Sequence, residues 1–262
     1  MHECLPDEHF VYLGDTARVP YGTKSLSTVE RYAIENAKFL EAHGIKLLVV
    51  ACNTASALAL PSIRAAVKVP VVGVIEPGAQ AAVETAAGKA IGVIATEATI
   101  QSGAYAKAIG KIDPQINVIE RACPLFVPLA EEGWAESDVA RSVAEQYLSD
   151  LKKKDIGALV LGCTHYPILR NLIGGVFGRD MPLIDSGEAA AREVERLLQS
   201  SELLSPPRDH EAGERQLCDD LDHFYVTDAA ERFAKVAERF LGTAPSVLEA
   251  VEVWGHDELR TY

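Results

Sequence analysis

The sequence predicts an α/β fold built from two similar parallel-sheet α/β domains that face each other. Three observations carry that prediction. Apolar runs of strand length alternate with helical patterns along most of the chain, the mark of parallel sheets connected by helices. Two of the runs match: Leu47-Leu48-Val49-Val50-Ala51-Cys52-Asn53-Thr54 and Ala158-Leu159-Val160-Leu161-Gly162-Cys163-Thr164-His165. Each reads as a buried strand, then a small residue, a cysteine and polar side chains. The spacing that follows matches too. Cys52 to Pro70 is 18 positions and Cys163 to Pro182 is 19. Each interval holds a helical pattern and ends in an apolar strand before a turn that contains glycine.

The chain has 262 residues, 48% hydrophobic and 24% charged, enough for a substantial core in one large domain or two smaller ones. Its net charge of −13 opposes general nucleic-acid binding, which rewards clustered Lys and Arg. No apolar run approaches the roughly 18 residues that span a bilayer. The start, Met1-His2-Glu3-Cys4, shows no signal-peptide pattern. The five cysteines are widely separated, which fits reduced thiols in a cytoplasm better than a disulfide framework. With no Cys-x-x-Cys pair and no paired-His spacing, no metal site is expected.

The elements follow in order. Phe10-Val11-Tyr12-Leu13 reads as a strand, and 15–22 as a loop with turn formers at its end. Gly22-Thr23-Lys24-Ser25 lacks the spacing of a phosphate loop, so an NTP site is rejected. Ser27 is expected to cap a helix running to about position 43, with Glu30 at the capping-box spacing and Gly44 as its stop. A strand over 47–51 leads to Cys52 and a helix to about 67. Positions 70–75 form a further apolar run, which Glu76-Pro77-Gly78 is expected to break before an alanine-rich helix to about 87. Positions 90–95 read as a strand, Thr96-Glu97-Ala98-Thr99 as a helix entry, and 116–120 as a short strand. Cys123-Pro124-Leu125-Phe126-Val127-Pro128-Leu129 reads as a proline-rich loop. A helix over about 137–153 precedes the strand at 158–162; its closing lysines suit the helix dipole. A strand and turn at 181–187 precede a helix to about 199. Positions 200–220 read as a polar loop, 224–226 as a strand and 228–241 as a final helix.

A strand that ends in a cysteine delivers the thiol to the carboxyl edge of a sheet, where open α/β folds place their chemistry. One cysteine there is as readily structural, because Cys is among the most buried residue types. Two in matched contexts point to chemistry. Two opposed thiols suit proton transfer on both faces of one carbon: a thiolate takes a proton from one face, and a thiol returns one to the other. A free thiol has a pKa of about 8.5, and helix N-termini behind the cysteines would lower it. Cys4, Cys123 and Cys218 receive no role.

These residues resemble a known family. Ala51-Cys52-Asn53-Thr54-Ala55-Ser56 and Gly162-Cys163-Thr164-His165-Tyr166-Pro167 are similar to the two signature segments of the glutamate racemases, within the aspartate/glutamate racemase superfamily. The segments at 12–22, 73–79, 123–129 and 184–187 also resemble the family's, in family order. The resemblance implies cofactor-independent interconversion of L- and D-glutamate, which supplies D-glutamate for peptidoglycan. It implies an active site between two domains, here 1–75 with 188–262, and 76–187. By carry-over, Cys52 works on the α-proton of the D-isomer and Cys163 on that of the L-isomer, with Glu131 and His165 assisting. Tyr21, Gly22, Asn53, Thr54, Thr99, Thr164 and His165 would line the substrate. The only partner implied is glutamate, with neither nucleic acid nor membrane; the sequence is compatible with a homodimer. Read without the resemblance, Thr54 and Thr164 are equally good helix N-caps, Tyr21 and Gly22 a turn, Glu131 a solvated charge and His165 a structural histidine.

Family members open with a strand, a Phe-Asp-Ser-Gly-Val-Gly-Gly segment and a helix, for which this sequence has no counterpart. The intact cysteine pair favours an active enzyme. The missing Asp-Ser pair favours a truncated, weakly active or inactive racemase-like domain that binds an acidic amino acid or a protein partner. A racemase for another acidic amino acid is a third reading.

Overall fold

The structure, a computed structural model, describes residues 1–178, 180–207 and 222–254. Cys218 and most of the expected polar loop lie outside these residues. In chain order the elements are β1 (Val11–Gly14), α1 (Leu26–Glu41), β2 (Leu48–Val50), α2 (Asn53–Leu58), α3 (Leu60–Ala66), β3 (Val71–Gly73), α4 (Ile75–Ala86), β4 (Ala90–Ala95), α5 (Glu97–Ser102), α6 (Ala104–Ile112), β5 (Val118–Ala122), α7 (Phe126–Glu131), α8 (Asp138–Lys152), β6 (Ile156–Gly162), α9 (Arg170–Phe177), β7 (Leu183–Asp185), α10 (Ser186–Ser200), β8 (His223–Val226), α11 (Ala230–Leu241) and β9 (Leu248–Ala250).

Every described strand pairing is parallel. The strands between α4 and α10, β4 to β7, form a four-stranded sheet in the order β5-β4-β6-β7. Its central strands, β4 and β6, are buried almost throughout. They are the continuous apolar runs expected of a sheet covered on both faces. The remaining strands form a two-stranded sheet, β2-β3, and a three-stranded sheet, β1-β8-β9. The matched spacings have a structural counterpart. β2 pairs with β3, and β6 with β7, so each cysteine-bearing strand pairs with the strand that follows its own helical connection.

Helical periodicity decides which faces are buried. In α1, Val29, Ala33 and Ala37 recur every four residues and are buried with Ile63 of α3 and Leu48 of β2. In α8, Ala140, Ala144, Leu148 and Leu151 pack on Leu159 and Leu161 of β6. Each fully buried leucine contributes about 1.5–3 kcal/mol relative to exposure. On the other face of the sheet, Ala79, Ala82 and Ala86 of α4 meet Ile91, Val93 and Val160, with Tyr105 and Ile109 of α6.

Several local expectations are corrected. The N-cap of α1 is Ser25, whose hydroxyl accepts from the Thr28 N–H, and not Ser27. The helix expected from Cys52 to about 67 is two helices, with a junction at Ala59 (φ −117°, ψ −3°). Glu76-Pro77-Gly78 does not break the chain but lies at the start of α4. Likewise, Phe126-Val127-Pro128-Leu129 is part of α7 and not a loop. In both helices the proline is the third residue, where a missing N–H costs no intrahelical bond. The strand expected at 116–120 runs Val118–Ala122.

Candidate active site

Each matched thiol sits where a strand stops. After β2 and Ala51, Cys52 takes the N-cap position of α2 with extended backbone (φ −74°, ψ 120°). Ser56 pins that turn: its hydroxyl donates to the Val50 carbonyl at 2.7 Å and accepts from the Val74 N–H at 3.3 Å. Cys163 directly follows β6. The Tyr166 N–H donates to the Cys163 carbonyl at 3.0 Å, and the Tyr166 hydroxyl donates to the Cys123 carbonyl at 2.8 Å. Only Cys52 has an α-helix N-terminus directly behind it. Cys163 is followed by a 3-10 turn, Tyr166–Leu169, so the expectation of one helix N-terminus per thiol is corrected.

Cys163 is buried and Cys52 partly so. Burial pushes the Cys163 thiol up to about 12, opposed by the His165 N–H and reinforced by charge on Cys52 and Glu131. Burial also raises Cys52, opposed by the N–H groups of Ala55 and Thr54 and by the Thr54 hydroxyl. Both sulfurs are therefore thiols at neutral pH. They lie within electrostatic reach of one another.

Behind Cys163 stands a polar chain. Its Sγ is 3.9 Å from His165 Nδ1, and His165 Nε2 is 3.0 Å from Glu131 Oε1. The hydrogen bond with His165 holds the Glu131 carboxyl below its ordinary range, against the effect of burial. A carboxylate accepting from Nε2–H leaves the Nδ1 lone pair facing the thiol, the tautomer a proton acceptor needs. Two residues that the sequence reading missed hold this pair. Arg239 donates to the Glu131 carbonyl, and the Phe240 ring meets His165 edge-on at 5.6 Å. Both come from α11, where Phe233, Val236, Ala237 and Phe240 follow helical spacing and mark an inward face.

Three threonine hydroxyls form a closed triangle. Thr54 Oγ1 is 2.9 Å from Thr96 Oγ1 and 3.2 Å from Thr99 Oγ1, and Thr96 is 3.0 Å from Thr99. Thr54 and Thr99 are buried. Thr54 is thus not an N-cap; Thr96 caps α5 by accepting from the Thr99 N–H. In the sequence Thr96 reads only as a helix entry. Strand register was the missing signal: Ala95 pairs with Gly162, so Thr96 and Cys163 are the next residues along the same sheet edge.

The other expected residues divide. Gly22 packs on this triangle so closely that a Cβ there would lie 2.7 Å from Thr96 Cβ. Tyr21 is buried, and its hydroxyl donates to Asp15 and accepts from Asn36 Nδ2 at 3.1 Å, so its polar tip is already engaged. Asn53 is buried with its amide held by Tyr105 and Ser186. Thr164 is exposed beside Cys163 and caps no helix. Two thiols, one backed by a His–Glu pair, therefore share a region with clustered hydroxyls. Such an arrangement can move protons to and from a bound carbon acid.

Known proteins share this arrangement of chain. The sequence pattern of the Asp/Glu/Hydantoin racemase family matches residues 1–194. The glutamate racemase of Geobacter metallireducens is 52% identical over 240 residues, covering 92% of this chain and 86% of its own length. That of Chlorobium phaeobacteroides is 44% identical over 250 residues, covering 95% and 89%. Among solved structures, glutamate racemase from Bacillus anthracis superposes with a TM-score of 0.86 at 37% identity, over 96% of this chain and 90% of that one. Glutamate racemase from Francisella tularensis, solved in complex with D-glutamate, gives 0.85 at 39% identity with the same coverage. The matched pattern contains both cysteine turns and the likeness extends over nearly the whole chain, so the chain belongs to the Asp/Glu/Hydantoin racemase family and stands among its glutamate racemases.

Proposed function

We propose that this racemase interconverts L-glutamate and D-glutamate by proton transfer between Cys52 and Cys163, with no cofactor. The observation that carries the reading is the pair of strand-end thiols in one region, each with its own polar support. Cys52 serves the D-isomer and Cys163 the L-isomer. In each direction one thiolate takes the α-proton: the C–H bond breaks and an S–H bond forms. The opposite thiol then gives its proton to the other face of the carbanion, so its S–H bond breaks and a new C–H bond forms. Nothing is oxidised or reduced.

Both thiols rest protonated, so one must ionise before the chemistry. A substrate α-ammonium brought against a buried sulfur favours that ionisation. His165, oriented by Glu131, can accept the Cys163 proton. Thr54, Thr99 and Thr164, with main-chain N–H groups near Gly22, would hold the carboxylates. Tyr21 and Asn53 shape this lining from beneath.

The same reading assigns 1–75 with 188–262 to one domain and 76–187 to the other. The grouping of strands into β1-β8-β9 with β2-β3, and β5-β4-β6-β7, supports that division. The product D-glutamate would feed peptidoglycan synthesis, and reduced thiols suit a cytoplasmic setting. Among the described residues no helix is long and apolar enough to cross a membrane.

The test is incubation of the purified chain with each glutamate enantiomer in D2O, followed by chiral separation and proton NMR. Wild type should incorporate deuterium at Cα with inversion. Cys52→Ser and Cys163→Ser should each lose at least about a hundredfold in racemisation, the low end for removing an acid–base group. Near wild-type turnover in either variant would end the two-thiol mechanism.

A further inference from the structure

Tyr105 bridges the two cysteine turns. It lies on α6, fully buried. Its hydroxyl donates to Asn53 Oδ1 at 2.7 Å, and Asn53 directly follows Cys52. Its ring lies against Gly162, which directly precedes Cys163: a Cβ on Gly162 would come within 3.1 Å of Tyr105 Cε2. One rigid side chain thus touches the residue after the first thiol and the residue before the second. The far side of the Asn53 amide is also held. Ser186 Oγ accepts from Asn53 Nδ2 at 3.2 Å and lies 3.3 Å from Oδ1. Ser186 opens α10 directly after β7, the parallel neighbour of β6. Burial pushes the Tyr105 phenol well above its ordinary range, so it remains a hydrogen-bond donor.

We propose that Tyr105 is a positioning residue that sets the spacing between the Cys52 and Cys163 turns, so that a carbanion made by one thiol meets the proton of the other. This rests on the two-thiol reading above. A phenol ring is stiff and fully packed here, and a hydrogen bond to a buried amide is costly to leave unmade. Losing it frees the Cys52 turn to shift relative to Gly162 while the ring stays in place. The carbanion is then returned its proton by the thiol that made it, after that thiol has exchanged with solvent, more often than it is inverted.

The test is Tyr105→Phe in D2O, starting from each enantiomer. The readout is the ratio of deuterium in recovered starting enantiomer to deuterium in product enantiomer. Loss of stability or of active fraction lowers both and leaves the ratio unchanged; lost registration raises it. The expected rise is about threefold to tenfold, the scale of one neutral hydrogen bond. Ser186→Ala, which removes the other partner of the same amide, should raise the ratio in the same direction, and it carries the test if Tyr105→Phe does not fold. A wild-type ratio in folded Tyr105→Phe, or in Ser186→Ala where that variant stands in, would overturn the proposal and leave the two-thiol reading standing. Exchange that neither Cys52→Ser nor Cys163→Ser lowers would overturn both.

Discussion

At the scale of single residues the governing quantity is the cost of ionising a buried sulfur. Burial pushes Cys163 up to about 12, whereas a free thiol titrates at about 8.5. The sign follows directly: a raised pKa keeps Cys163 protonated through neutral pH, so thiolate, and reactivity, accumulate only as the solution becomes alkaline. Alkylation by iodoacetamide, followed peptide by peptide by mass spectrometry, should therefore still be accelerating at about pH 10, where a free thiol has levelled off. A plateau at Cys163 below about pH 9 would refute the burial argument. The two thiols were legible in the sequence because a strand-end cysteine is a local pattern, repeated. Thr96 was not, because its place beside Cys163 depends on pairing Ala95 with Gly162. Arg239 and Phe240 were invisible for the same reason: the helix pattern shows an inward face but not what it meets.

At the scale of elements, the strand–helix alternation was readable, and so were helices whose apolar residues recur every three or four positions. What failed was punctuation. Pro77 reads as a break and Pro128 as part of a loop, yet each sits third in a helix, where a missing N–H costs no intrahelical bond. The three-residue strand β9 carries too little pattern to stand out, and it is recognisable only by its pairing with β8. At the candidate site the 3-10 turn Tyr21–Thr23 packs against Thr96, the N-cap of α5. Gly22→Ala places a methyl 2.7 Å from Thr96 Cβ, so the turn and the threonine triangle must separate. The expected outcome is a rise of about tenfold in KM for glutamate, with an overpacking cost of about 1–3 kcal/mol in thermal or urea unfolding. Gly110→Ala is the control. It lies on α6 with nothing within 4 Å of the added carbon, and should leave KM unchanged while stabilising by about 0.5–1 kcal/mol. Equal KM in the two variants would show that the Gly22–Thr96 contact does not shape the site.

At the scale of the whole molecule, the two ends of the described chain meet. β1 pairs with β8, joining residues 11–14 to residues 223–226. Nothing in either local sequence specifies that partner. Beneath the pairing lies a buried polar network. Asp15 accepts from Arg18 Nε at 2.8 Å, from the Tyr21 hydroxyl and from Thr227 Oγ1 at 3.1 Å. Arg18 also reaches Glu35 and donates to Asn36 Oδ1 at 2.9 Å. One guanidinium therefore serves two carboxylates that are only 8% and 5% exposed, and the same network holds Tyr21 immediately before Gly22. Removing the cation deprives two buried anions of this counter-charge, which costs far more than the intact network is worth. Arg18→Met should lower stability in urea by about 3–5 kcal/mol, and the β1–β8 pairing should be the first to lose amide protection. Adding Glu35→Met to Arg18→Met removes one stranded charge and should recover part of that loss, because an apolar replacement of a buried pair is close to neutral. A double variant no more stable than Arg18→Met alone would mean that the loss comes from Arg18's own packing against Tyr32 and Trp254, and not from the stranded charges.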